Sequence, residues 1–393
     1  MFDFDTTPNR SGTDSMKWDV SEGELPMWVA DMDFETAPQI TKALTSRAEH
    51  GVFGYTVIPE TWYGAITSWW KRRHGFAMEK GWLQFCTGVV PAISCIVKRV
   101  TNLGDRVAVL TPAYDIFYHS IENAGRTVFE CKLVYQDGTY HIDFNALEEA
   151  LSHPLTTMLI FCNPHNPTGN IWSKEEIAKV GALCKKHGVI VLSDEIHCDL
   201  TAPHCGYVPY ASVSEACKEG SITCISASKA FNLAGLQSAA VVVPNPLLRE
   251  KIVRGLNSDE VAEPNCFAAL AAVAAFNEGE GWLDELRAYL FENRKFVQEY
   301  LHEHLPEIGV VKANATYLVW MDCSFFTRDS DELCAFLRER TGLILSSGKQ
   351  YRGDSAAFVR MNVACSRSRL CEGLSRFVSG MKEYFKQAKD KTL

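Results

Sequence analysis

The sequence predicts an α/β fold: a parallel sheet covered by helices, with a second, smaller α/β unit. Three observations carry this. Between residues 106 and 226, short β-rich runs alternate with longer helical patterns. Parallel strands need that order, because each crossover takes a helix's length of chain. Several of these runs, TMLIFC and the run before Asp194 among them, are apolar, as in a sheet covered on both faces. In the last third the rhythm changes to one long helical pattern and two isolated strands.

In chain order, LQFCT (residues 83–87) reads as a strand that passes through Gly88 into a helix containing Ala92, Ile93 and Val97. Arg106 to Leu110 is a strand stopped by Pro112, Ile116 to Ala124 a helix, and Thr127 to Cys131 the next strand. TMLIFC (157–162) is a strand running into NPHNPTG (163–169). Lys174 to His187 is a helix, with Ser173 as N-cap and Gly188 just past its end. Val189 to Ser193 and Ile222 to Ser226 are further strands. Cys266 to Phe276 is Ala-rich and reads as a buried helix, since a bilayer span needs about 20 apolar residues. The later part gives a helix over about 282–304, strands at 315–322 and 357–363, and a helix over about 331–341. We expect residues 49–285 to form the large unit. Residues 286–393, joined by the N-terminal 1–48, form the small one.

The 393 residues are 47% hydrophobic with a formal charge of −9, which suits a globular chain with a large core. No basic stripe alternates with exposed aromatics, so no nucleic-acid partner is expected, and Lys71-Arg72-Arg73 reads as a solvated helical patch. The 14 cysteines are scattered without a C-x-x-C pair, which points to a reducing cytoplasm. The acidic N-terminus is not expected to be a signal peptide, nor the chain to meet a membrane. His197-Cys198 and His204-Cys205 match no zinc spacing, so no metal is expected.

The polar residues collect where such sheets bind ligands, beyond the carboxyl ends of strands. Lys229 stands in SASKAFNLAG among small neighbours that let a ligand approach. A desolvated lysine near other cations has a lowered pKa and suits amine chemistry. Asp194 ends an apolar strand, where it would cap the next helix or pair with a buried cation. Ser226, Ser228 and the free amides at Gly88, Val89 and Val90 could grip a phosphate. Asn166 belongs to a loop that is either a plain tight turn or a contact to a ring hydroxyl. Tyr114 either packs in the core or stacks on a heteroaromatic ring. Arg360, in the apolar strand FVRMNV, needs a carboxylate from the protein or from a substrate. A lysine amine, a carboxylate for a ring nitrogen and a phosphate cradle together are what pyridoxal 5'-phosphate requires.

The ordered set Gly88, Tyr114, Asn166, Asp194, Ser226, Ser228, Lys229 and Arg360 resembles the class I/II aminotransferase group of fold-type I pyridoxal-phosphate enzymes. LPMWVADMDF (25–34), TPAYDIFY, SDEIH, ATYLVWMD and RMNVACSRSRL resemble one branch, the MalY/PatB-type cystathionine β-lyases or cysteine-S-conjugate β-lyases. Two departures from ordinary aminotransferases agree: His197 stands where a Tyr is common, and Gln237 where an Arg is common. The resemblance implies a mainly parallel seven-stranded sheet and a homodimer with shared sites, in which Tyr55 reaches the partner's phosphate. It assigns catalysis to Lys229 and Tyr114. Substrate binding falls to Arg360, Asn166 and Tyr114, and cofactor contact extends to His197. Trp28 and Phe34 are expected to line the substrate pocket. The implied reaction is β-elimination of a thiol from cystathionine or another cysteine S-conjugate. The alternatives are an aminotransferase, or a lyase that also regulates by binding a transcription factor.

Overall fold

The computed structural model describes residues 2–390. Seven strands make the main sheet: β1 (Leu83–Cys86), β2 (Arg106–Thr111), β3 (Thr127–Lys132), β4 (Thr156–Cys162), β5 (Ile190–Asp194), β6 (Ser221–Ile225) and β7 (Ala239–Val242). Their order across the sheet is β1-β7-β6-β5-β4-β2-β3. Only β7 runs antiparallel to its neighbours. The expected mainly parallel, seven-stranded sheet is therefore present. β7 had no sequence reading of its own, because its four small apolar residues carry no period.

Alternation along the strands sends successive side chains to opposite faces. Val107, Val109, Met158, Ile160 and Leu192 pack on one face with Ile93, Ile96 and Val97 of the helix Val89–Val100. Ala108, Leu110, Leu159, Phe161 and Val191 pack on the other with Ile177 and Val180 of the helix Lys174–His187. Each fully buried aliphatic side chain contributes about 1.5–3 kcal/mol, so this two-sided burial holds the strand ends in register. The helix Lys174–His187 begins at Ser173 with a reciprocal capping box to Glu176 and ends at a left-handed Gly188, as its punctuation predicts.

The smaller sheet is antiparallel: β8 (Gly309–Val310), β9 (Leu318–Asp322), β10 (Ser346–Ser347) and β11 (Phe358–Asn362), in the order β8-β9-β11-β10. The strand expected from residue 315 begins only at Leu318. Thr316 has φ 67°, outside strand geometry, and breaks the ladder. Leu25–Pro26 pairs in parallel with Leu343–Ile344, tying the N-terminal segment to this part of the chain. We propose accordingly that residues 1–48 and 286–393 form the smaller unit and 49–285 the larger. The helix Glu280–His304 crosses that division without a break. The basic patch at 71–73 ends the helix Glu60–His74, where Arg72 and Arg73 pair with Glu280 and Arg73 also pairs with Asp284. Among the described residues no helix is long and apolar enough to cross a membrane.

Candidate active site

Register brings the site together. Asp194 at the end of β5 is level with Cys162 of β4 and Cys224 of β6. The loop 163–169 and the Lys229 turn therefore leave the sheet on either side of Asp194. A cavity of about 280 Å³ opens there, lined among others by Gly88, Tyr114, Asn166, Asp194, His197 and Lys229. Val89, Val90, Ser228 and Gln237 also face it.

The helix Val89–Val100 points its N-terminus at this cavity, with Gly88 as N-cap and no side-chain cap. Its first amides are thus free for an anion. In the loop after β4, Asn163 is structural: its amide donates to Asp194 O, its Nδ2 to Val208 O, and its Oδ1 accepts from Trp172 N. Gly169 has φ 72°, and a Cβ there would meet Ala315 O at 2.8 Å, so the loop's close seat on the 313–316 backbone needs glycine. Asn166, three residues before it, is buried and turned to the cavity.

Asp194 is buried and accepts one described hydrogen bond, from Ile196 N at 3.1 Å. Burial pushes its carboxyl up to about 6, against the pull of Ile196 N and of the Lys229 charge. Lys229 donates to Ala30 O at 2.7 Å. Its pKa falls to about 8, chiefly from burial and then from the Arg360 charge. His197 is buried with no partner for Nδ1, and burial followed by the charges of Lys229 and Arg360 lowers it to about 3, so the ring is neutral. Burial raises Tyr114 to about 12, which keeps its hydroxyl protonated.

Arg360 projects from β11 into the same region. It donates to Asn166 Oδ1 at 3.1 Å, Trp28 O at 2.9 Å and Ser346 Oγ at 3.4 Å, and its Nε has no partner. No carboxylate pairs with it among the described residues, which leaves the substrate alternative standing. Ser226 lies behind the cavity wall: its hydroxyl donates to Ser238 O at 2.6 Å and accepts from Ser228 N at 3.0 Å. Tyr55 is fully exposed and away from the cavity. Phe34 does not line the pocket as expected, because it is buried against Phe4 and Tyr289. Trp28 contributes its carbonyl instead.

Sequence reasoning placed residues 28–34 near the pocket through Trp28 and Phe34 but missed their role as a strap that works through its carbonyls. Its carbonyls serve Arg360 (Trp28 O), Asn362 (Val29 O and Asp31 O) and Lys229 with Tyr317 (Ala30 O). Asn232 bonds both Met32 and Phe34 from a left-handed conformation, φ 55°. Carbonyl roles leave no trace in residue type; only an Asn three residues after Lys229 hinted at a special turn.

The family profile for aminotransferase class I and II matches residues 24–377. The chain belongs to this family. It is 40% identical over 385 residues to cystathionine beta-lyase PatB of Bacillus subtilis, covering 96% of this chain and 99% of that one. It is 32% identical over 390 residues to protein MalY of Escherichia coli, covering 97% and 99%. Among solved structures, cystalysin from Treponema denticola, which contains a pyridoxal 5'-phosphate cofactor, superposes with a TM-score of 0.94 at 30% identity, covering 98% and 99%. The branch resemblance read from LPMWVADMDF and SDEIH is thus borne out.

Proposed function

We propose that the protein is a pyridoxal-phosphate-dependent carbon–sulfur β-lyase, acting on L-cystathionine or related cysteine S-conjugates. The observation that carries this is the near-full-length similarity to a cystathionine beta-lyase together with a cavity whose donor set suits the cofactor. The fit has a physical basis. Asp194 is a buried carboxylate short of partners, His197 has an orphaned Nδ1, and a helix N-terminus lacks a cap. A ring cation, a ring substituent and a phosphate would satisfy these in turn.

Pyridoxal phosphate, when bound, supplies an aldehyde that condenses with amines and a ring that accepts the electron pair left by a broken Cα–H bond. Asp194 holds the proton on the ring nitrogen. The amides of Val89 and Val90, with Ser228, hold the phosphate, and Ser226 fixes Ser228. Asn166 uses its Oδ1 on Arg360 and turns its amide to the ring hydroxyl, beside the neutral His197. Arg360 takes the substrate carboxylate. Lys229, with its pKa near 8, is neutral in a useful fraction at physiological pH and removes the Cα proton. The Cβ–S bond then breaks with its electron pair on sulfur. Tyr114, still protonated, donates to the leaving thiolate. The three-carbon fragment takes up water and ends as pyruvate and ammonia. Tyr55 completes the phosphate site from a second copy of the chain, in a cytoplasmic homodimer.

The test incubates the cofactor-loaded protein with L-cystathionine and no oxo acid, assaying pyruvate and free thiol together. Equimolar release is expected. Amino-group turnover only on adding a 2-oxo acid, with no thiol released, would establish an aminotransferase instead.

A further inference from the structure

Besides the desolvated Lys229 of the active site, three cationic residues are buried in the described fold: Lys17, Arg294 and Arg360. Lys17 faces Asp33 at 3.0 Å. Neither arginine has a carboxylate at ion-pair distance among the described residues. For Arg360 the active site explains this. Arg294 lies elsewhere, on the helix Glu280–His304. Its Nη1 donates to Thr316 O at 3.2 Å and Leu318 O at 2.8 Å. Its Nε and Nη2 have no acceptor among the described residues and are not sealed from solvent, and the guanidinium lies 5.8 Å from the Phe291 ring centroid. A guanidinium largely withdrawn from water gains from a counter-charge, and the two carbonyls satisfy one nitrogen only, leaving the solvent-reached Nε and Nη2 free for an anion.

Arg294 forms part of the wall of a second cavity of about 370 Å³, which shares no residue with the active-site cavity. Lys295 and His204 add basic groups, Glu292 is the one acid, and Phe291 and Val311 are among several apolar walls. Glu292 is exposed, and Lys295 is drawn toward Glu299 at 3.8 Å. One buried cation between apolar walls matches a single negative charge on an apolar body better than it matches a dianion. We propose that this cavity binds a small organic acid, its carboxylate on Arg294 and its apolar part against Phe291 and Val311. The site lies on the backbone that serves catalysis. Thr316 and Leu318, which Arg294 grips, flank Tyr317, whose hydroxyl shares Ala30 O with Lys229.

The test is calorimetric titration of the cofactor-loaded enzyme with 4-methylpentanoate, using 4-methylpentanamide as the uncharged control. The active site can also take a carboxylate, so two sites per chain are expected, neither binding the amide. Arg360→Met should remove one and Arg294→Met the other, the latter by at least tenfold in affinity. Lys295→Glu, on an exposed side chain that folding tolerates, should weaken the Arg294 site severalfold and leave the Arg360 site unchanged. Should Arg294→Met not fold, Lys295→Glu decides. A single site abolished by Arg360→Met, or unaltered binding in folded Arg294→Met or Lys295→Glu, overturns the proposal.

Discussion

Lys229 and Tyr317 donate to the same acceptor, the carbonyl oxygen of Ala30, over 2.7 Å and 3.0 Å. A carbonyl has two lone pairs, so both bonds coexist. Tyr317 is fully buried and burial keeps its phenol protonated, so it is a permanent donor. On the proposed function Lys229 is a temporary one, because its amine would leave Ala30 to meet the cofactor. The hydroxyl keeps the strap's carbonyl satisfied in both states.

Tyr317→Phe should therefore weaken cofactor binding while scarcely altering the cofactor-free protein. With the hydroxyl gone, Ala30 O loses its last donor whenever Lys229 is engaged. An unsatisfied, partly buried carbonyl costs about 1 kcal/mol, or roughly fivefold in Kd. Absorbance titration of the cofactor-free variant with pyridoxal phosphate measures this. An unchanged Kd would show that Tyr317 only packs.

The lowered pKa of Lys229 gives a pH signature. Only the neutral amine attacks an aldehyde, so the rate of cofactor capture by the cofactor-free protein should rise with pH. It should reach half its maximum near 8, the value burial and Arg360 impose, instead of near the ordinary 10.5. Arg360→Met removes the second of these causes and should move the midpoint upward. A stopped-flow absorbance profile across pH 6.5–10 reads both. A wild-type midpoint near 10 would mean that Lys229 is solvated and that Arg360 does not act on it.

Much of this site was legible because its side chains sit at strand ends, where an apolar run stops at a polar residue. Asp194 after IVLS, Lys229 after SITCI and Asn166 after TMLIFC all obey that rule. Arg360 was visible as a charge inside an apolar strand, and the helix Lys174–His187 through its caps. The rest resided in backbone atoms and distant pairings. Ala30 and Trp28 act through carbonyls, and the strap reaches the site because Leu25–Pro26 pairs with Leu343–Ile344 far along the chain. Ser226 shows the converse. Its residue type suits a phosphate, but a neighbouring carbonyl and amide use its hydroxyl. The antiparallel β7 was hidden because AAVV is too short and uniform to mark a strand.

Asp194 links function to stability with a definite sign. Its carboxyl is raised from the ordinary 3.8 to about 6 because burial disfavours the charge. A group whose pKa is higher folded than unfolded supports folding at low pH and loses that support as pH climbs through the folded value. In the cofactor-free protein, stability should fall between about pH 4 and 6, and stay lower by roughly 3 kcal/mol for a two-unit shift. Asp194→Asn keeps an oxygen for Ile196 N and carries no charge. At pH 8 the cofactor-free variant should therefore melt a few degrees above the wild type, at about 1–2 °C per kcal/mol for a chain of this length, and the gap should narrow toward pH 4. Adding pyridoxal phosphate should reverse the order, since only the wild type gains an ion pair with the ring nitrogen. Thermal unfolding of both proteins at pH 4.5 and 8, with and without cofactor, tests this. A variant that melts at or below the wild type at pH 8 without cofactor would mean that the carboxylate is already paid for within the protein, and that its pairing with a ring cation is not what the site was built to supply.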